Sequence, residues 1–162
     1  MPELRHTRTI EFADPIETRD RVASMSGLEA MRALRDGVFP GPPIADTMNF
    51  HLVAADAGTV TFECTPGLEH YNPLGMVHGG LACTLLDTVT GCAAHTTLEA
   101  GQGYTSIEIS VKYLRPITAD GGVLTAVGTV TKPGRRVIFA DGTITDAAGR
   151  LLATASSSLL VL

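Results

Sequence analysis

Between Tyr71 and Leu98 the chain reads YNPLGMVHGGLACTLLDTVTGCAAHTTL, with one carboxylate, Asp87, and no lysine or arginine. At 100° per residue, Ala82, Leu85, Leu86, Val89, Ala93 and Thr96 share one stripe, which predicts a helix with that face against a core. Beside the stripe lie Gly80, Cys83, Asp87, Gly91 and Ala94, all small apart from the acid. Small side chains let a second surface approach, so Asp87 is expected where something else packs or enters. An unpaired buried charge is costly, so this acid needs a partner. It is either a structural acid, paired or capping, or a catalytic carboxylate.

The start of the same helix favours the second reading. The first N–H groups of a helix lack intrahelical acceptors and carry the positive end of its dipole. Gly79 and Gly80 put no side chain over those donors, so an anion or a polarised carbonyl oxygen can dock there. A carboxylate base with an oxyanion-binding helix end is the minimum needed to hydrolyse an acyl compound. Gly79 and Asp87 are eight residues apart, and that is roughly 12 Å along a helix axis. One carbonyl group cannot touch both. Two such helices, antiparallel across a two-fold axis, would bring each N-terminus toward the other's Asp87, so a catalytic Asp87 predicts an obligate dimer.

The run Asn72-Pro73-Leu74-Gly75-x-x-His78-Gly79-Gly80, followed by Asp87, resembles the signature of hotdog-fold acyl-CoA thioesterases of the PaaI, phenylacetate-degradation type. The strings GYTSIEISVKYLRPI, PGRRV and TDAAGRLLATASSS are similar to that family in the same order, over about Ile44 to Leu162. The resemblance implies an α+β hotdog fold, an antiparallel sheet wrapped around one long central helix, with an extra N-terminal helix near the acyl-binding end. It implies that Asn72 holds the thioester or the attacking water, that His78 is mainly structural, and that a hydroxyl at Thr105 or Ser106, preferably Ser106, positions water. It also places a Gly-Arg step near the nucleotide end of the ligand, which raises Arg135 and Arg136, and implies a dimer of dimers.

The residues themselves allow plainer roles. Asn before Pro is a good turn residue; a His at a helix entry commonly bonds loop backbone; Thr105 and Ser106 are strand-edge hydroxyls. Lys112, Arg115, Arg135 and Arg136 are the cations available for the phosphates of coenzyme A, although such side chains are usually solvated.

A chain of 162 residues makes one domain with a single substantial core, and 44% hydrophobic residues leave apolar surface for subunit contacts. With 12 basic against 17 acidic residues, nucleic acid is not an expected partner. No apolar run is long enough to span a membrane, and the N-terminal sequence lacks the apolar centre of a signal peptide, so a cytoplasmic protein is expected. Cys64, Cys83 and Cys92 are odd in number and are read as reduced thiols; a nucleophilic Cys83 has no His placed to activate it. The five histidines lack zinc spacings and His-Gly-Gly is not a phosphate loop, so neither metal nor cofactor is expected.

Along the chain, residues 1 to about 14 read as loosely attached, and Asp14-Pro15 as a cap and first position of a short helical turn. Ser26 to Glu29 is a capping box for a helix stopped at Gly37, and Phe39 to Pro43 is a stiff connector without regular structure. Strands are expected over Thr47–Ala55, Thr59–Cys64, a two-faced run ending at Tyr113, Val123–Thr131, Val137–Thr145 and Leu151–Val161. Residues 1–44 are read as an N-terminal extension and 45–162 as the hotdog domain. The expected activity is hydrolysis of an acyl- or aryl-acyl-CoA thioester by Asp87, Gly79, Asn72 and Ser106, with His78, Gly80, Thr105, Arg115, Arg135 and Arg136 around the substrate. Two alternatives stay open: a non-catalytic acyl-CoA binder or sensor, and a hotdog enoyl-CoA hydratase or dehydratase using His78 and Asp87.

Overall fold

The computed structural model describes residues 4–162. Its axis is the helix α4, Gly79–His95; three helices precede it: α1 (Pro15–Val22), α2 (Gly27–Arg35) and α3 (Pro43–Met48). Six strands form one antiparallel sheet: β1 (Phe50–Asp56), β2 (Thr59–Cys64), β3 (Tyr104–Tyr113), β4 (Leu124–Lys132), β5 (Val137–Thr145) and β6 (Leu151–Val161). The order across the sheet is β1-β2-β4-β5-β6-β3, so β3, first in sequence after α4, lies at an edge and, among the described residues, pairs only with β6. This is the expected hotdog arrangement of a sheet around a central helix.

The apolar stripe of α4 explains the packing. Ala82, Leu85, Leu86, Val89 and Ala93 are fully buried, and Thr96 nearly so. The five apolar residues of the stripe meet Phe62, Leu124, Ala126, Ile144 and Ala153 from the sheet in one core. Burying a Leu side chain contributes about 1.5–3 kcal/mol, so this stripe alone holds the helix in the sheet. Two glycines set how close it comes. Gly128 on β4 and Gly142 on β5 are cross-strand partners, and α4 crosses directly over them. A Cβ on Gly128 would stand 2.0 Å from the Val89 carbonyl oxygen, and one on Gly142 would crowd Leu86, Val89 and Thr90.

The N-terminal segment differs from expectation in three places. Asp14 caps and Pro15 opens a helix as expected, but α1 runs eight residues and buries none of them. Pro42 and Pro43 were expected to forbid regular structure; instead Pro43 opens α3, because a proline costs nothing where the helical N–H has no acceptor. Asn49, left-handed at φ 55°, ends α3, so the first strand begins at Phe50 and not Thr47. Third, Arg8 is fastened rather than loose: its guanidinium donates to the carbonyls of Asp46 and Thr47 and pairs with Glu69 at 2.9 Å. Met1 to Glu3 lie outside the described residues.

The capping box of α2 forms as expected, with the Ser26 N–H donating to Glu29 and the Glu29 N–H to the Ser26 hydroxyl. Behind it, Gly27 abuts the C-terminal turn of α4: its N–H donates to the Leu98 carbonyl at 2.9 Å.

Candidate functional site

The approach to α4 is a fixed turn. Asn72 folds the chain back: its side-chain oxygen accepts from the N–H groups of Leu74 (2.9 Å) and Met76 (3.3 Å), and its own N–H donates to the Met76 carbonyl. Gly75 supplies the positive φ of 79° that this turn requires. The Val77 N–H donates to the Ile117 carbonyl, and the Tyr71 hydroxyl accepts from the Ala119 N–H, which ties the turn to the segment after β3. The Asn72 side-chain nitrogen has no acceptor among the described residues and stands at a cavity.

His78 is the N-cap of α4. Its Nδ1 accepts from the Gly80 N–H at 2.8 Å, so a neutral imidazole carries its proton on Nε2. The donor of Gly80 is therefore occupied, and of the glycine pair only Gly79 has an N–H that no described acceptor takes. The cavity beside it, about 310 Å³, is lined by Asn72, Val77, Gly79, Ala82, Tyr113 and Arg115 among others. Its walls are mostly apolar, and Asn72, Tyr113 and Arg115 are the polar side chains among the lining residues. Arg115 is held at the rim by donating to the Leu151 carbonyl.

Two turns along α4, Asp87 is half-buried and accepts at Oδ1 from the Ser106 hydroxyl at 2.8 Å. Side chains alternate along a strand, so Thr105 lies on the opposite face of β3 from Ser106. The alternation then slips: β3 bulges between Ser106 and Glu108 against β6. Beyond this extra residue Ile109 and Val111 pack against the core, and the Tyr113 hydroxyl reaches back to α4, donating to the Gly79 carbonyl at 3.1 Å. Without the bulge Tyr113 would face away. Before it, Tyr104 covers Gly91, where a Cβ would fall 2.5 Å from the phenol oxygen. Thus β3 runs the length of α4: Tyr104 on Gly91, Ser106 on Asp87, Tyr113 on Gly79.

Asn72, His78, Gly79, Gly80 and Arg115 therefore gather at the N-terminal end of α4, and Asp87 with Ser106 near its middle. Arg135 lies elsewhere, in a cavity with Thr97, Leu98 and Ile138 at the C-terminal end; Arg136 is exposed beside it. In the sequence Tyr113 reads only as a strand residue. Its alternation with Glu108 and Lys112 was visible, but the bulge that turns it to Gly79 was not.

The three cysteines are free thiols. Burial pushes the Cys64 thiol up to about 11 and the Cys92 thiol up to about 12, which makes both poor nucleophiles at neutral pH. Among the described residues no group of three His, Cys, Asp or Glu could hold a metal, and no helix is long and apolar enough to cross a membrane.

Residues 74–153 match the family model described as Thioesterase superfamily. Human acyl-coenzyme A thioesterase 13 is 33% identical over 103 residues, covering 63% of this chain and 72% of that one. Another relative, F42H10.6 of Caenorhabditis elegans, is spanned over 58% of its length. Among solved structures, a phenylacetic acid degradation-related protein of Ralstonia eutropha JMP134 superposes with TM-score 0.74 and 29% identity, over 80% of this chain and 98% of that one. The smu.793 protein of Streptococcus mutans UA159, solved bound to acetyl CoA, gives TM-score 0.65 and 26% identity, over 70% and 89%.

Proposed function

We propose, from the premise that the chain belongs to the thioesterase superfamily, that it hydrolyses acyl- or aryl-acyl-CoA thioesters to the free acid and CoA. The observation that carries this reading is the Ser106–Asp87 hydrogen bond on a helix otherwise free of charge. A carboxylate that accepts at Oδ1 from a hydroxyl keeps Oδ2 for a water, and Ser106 keeps lone pairs to hold that water in line. Asp87 acts as general base on the water, or attacks directly through a mixed anhydride. The Gly79 N–H, pointing out of the helix start, stabilises the oxyanion, and the Asn72 amide orients the reacting group.

Both groups meet on one bond through a second copy of the chain. The ten-residue edge strand β3 is unpaired on its outer side and exposes Ile107 and Tyr113. Such an edge is a template for another strand. Antiparallel pairing of two β3 strands about a two-fold axis lays the two α4 helices antiparallel and turns each Asp87 toward the other copy's Gly79. Arg135 and Arg136, at the far end of α4, then approach the other copy's cavity and join Arg115 as contacts for the CoA phosphates. His78 and Gly80 shape the entry, and Thr105 lies at its margin. A dimer of dimers in the cytoplasm, with residues 1–44 as an extension over domain 45–162, completes the reading; three unbridged thiols suit a reducing compartment.

The hydratase alternative needs His78 as acid and base, yet its Nδ1 is committed to the Gly80 N–H, which supports the thioesterase reading. The test is thiol release from an acyl-CoA panel. Asp87→Asn is expected to lose about 10²–10⁴ in kcat while still binding ligand. Near-normal turnover in that variant, or a monomer in light scattering, would reject the assignment.

A further inference from the structure

One peptide unit at the start of α4 is held at both of its ends. The N–H of Gly80 donates to His78 Nδ1 at 2.8 Å, and the carbonyl of Gly79 accepts from the Tyr113 hydroxyl at 3.1 Å. These two atoms belong to the same planar amide, so fixing both fixes its plane. The glycine before that plane would otherwise have wide freedom in φ and ψ. The Tyr113 ring also closes over it, with Cε1 and Cζ 3.2 Å from where a Cβ on Gly79 would stand.

We propose that Tyr113 is a positioning residue for the Gly79 N–H: with His78 it clamps the 79–80 peptide, and across the Gly79 Cα this limits rotation of the adjoining 78–79 peptide, whose N–H is thereby aimed into the cavity before substrate arrives. This rests on the thioesterase reading, since it assigns Tyr113 a part in preparing the oxyanion donor. The clamp exists because of the bulge at Ile107, which changes which side of β3 faces α4 between Ser106 and Tyr113. Burial, with the nearby Cys83, pushes the Tyr113 phenol above its ordinary value, so it remains a donor throughout the neutral range. Donors aimed in advance at developing charge cost no reorganisation during the reaction, and that saving appears in kcat and not in ground-state binding.

The experiment compares the wild-type chain with Tyr113→Phe, which keeps the ring and removes one hydrogen bond. Loss of a hydrogen bond of ordinary strength predicts a drop of about tenfold in kcat, with KM within about twofold and the thermal midpoint lowered by no more than a few degrees. Backbone amide exchange is followed in parallel, and Gly80, whose N–H is hydrogen-bonded to His78, is expected to exchange faster while the amides from Leu85 to Ala93 do not change. A kcat within twofold of wild type, or a rise in KM alone, would overturn the assignment and leave Tyr113 as a cavity wall. If the wild-type chain itself releases no thiol, the thioesterase reading fails; unchanged exchange at Gly80 would then overturn the clamp as well, and faster exchange would uphold it as a property of the fold.

Discussion

At its N-terminal end α4 presents Gly79 to a cavity and leaves that residue's N–H without an acceptor among the described residues. At its C-terminal end Gly91 is covered by Tyr104 and the His95 carbonyl is pressed against Gly27, where a Cβ would stand 1.7 Å from the oxygen. Both ends use glycine and tyrosine. At one end they keep a donor open beside a cavity; at the other they let the helix be approached closely by a ring and by a second backbone. The closed end holds the helix rigidly enough for the open end to have a fixed geometry, and the open end tolerates an exposed, unpaired amide because water or a ligand can reach it.

That contrast can be broken by placing the same methyl group at each end. Gly79→Ala pushes against the exposed Tyr113 ring, which must yield by a few tenths of an ångström. A small displacement of a reacting group can cost about 10²-fold, so kcat should fall by up to that factor while the thermal midpoint stays near wild type. Gly27→Ala meets backbone and cannot be accommodated by a side-chain movement; overpacking of this kind costs about 1–3 kcal/mol, read as a lower unfolding midpoint in urea with residual kcat near wild type. If the two variants lost stability equally, the two ends would not differ in the way described.

A smaller effect should appear with pH. Burial holds the His95 imidazole below its ordinary value. The folded chain therefore binds its proton less readily than the unfolded chain, whose His titrates near about 6.5. Stability from this group is complete above that pH and is lost as the pH falls toward the depressed folded value. Thermal melts between pH 8 and pH 5 should show this decline, and His95→Gln should flatten it. No decline would mean that the closed end admits a proton without opening.

Much of this architecture could be read in the chain itself. The stripe from Ala82 to Ala93, the capping box at Ser26 and the cap-and-proline start at Asp14 all rest on local chemistry, and local chemistry decided them. Pro42-Pro43 misled because a proline stops a helix within it and starts one at its edge. Gly128 and Gly142 gave no signal, since their meaning lies in a cross-strand pairing and a helix passing above. For the candidate site, Asn72, Gly79, Asp87 and Ser106 could be named as residue types in order. The Ser106–Asp87 contact and the Tyr113–Gly79 contact depend on how β3 lies along α4, and on an irregularity in its pairing with β6 that a single strand's sequence does not carry.

The paired glycines under Val89 have a mechanical effect. A helix whose backbone drops into a notch one residue wide on each of two strands cannot slide along the sheet, because any other register would drive the Val89 carbonyl into a strand backbone bearing a side chain. The central rod is therefore pinned at its midpoint like a beam on a pivot. Adjustment to different cargo must come from the turn before the rod and from the outermost strand, and substitutions that retune selectivity should collect there.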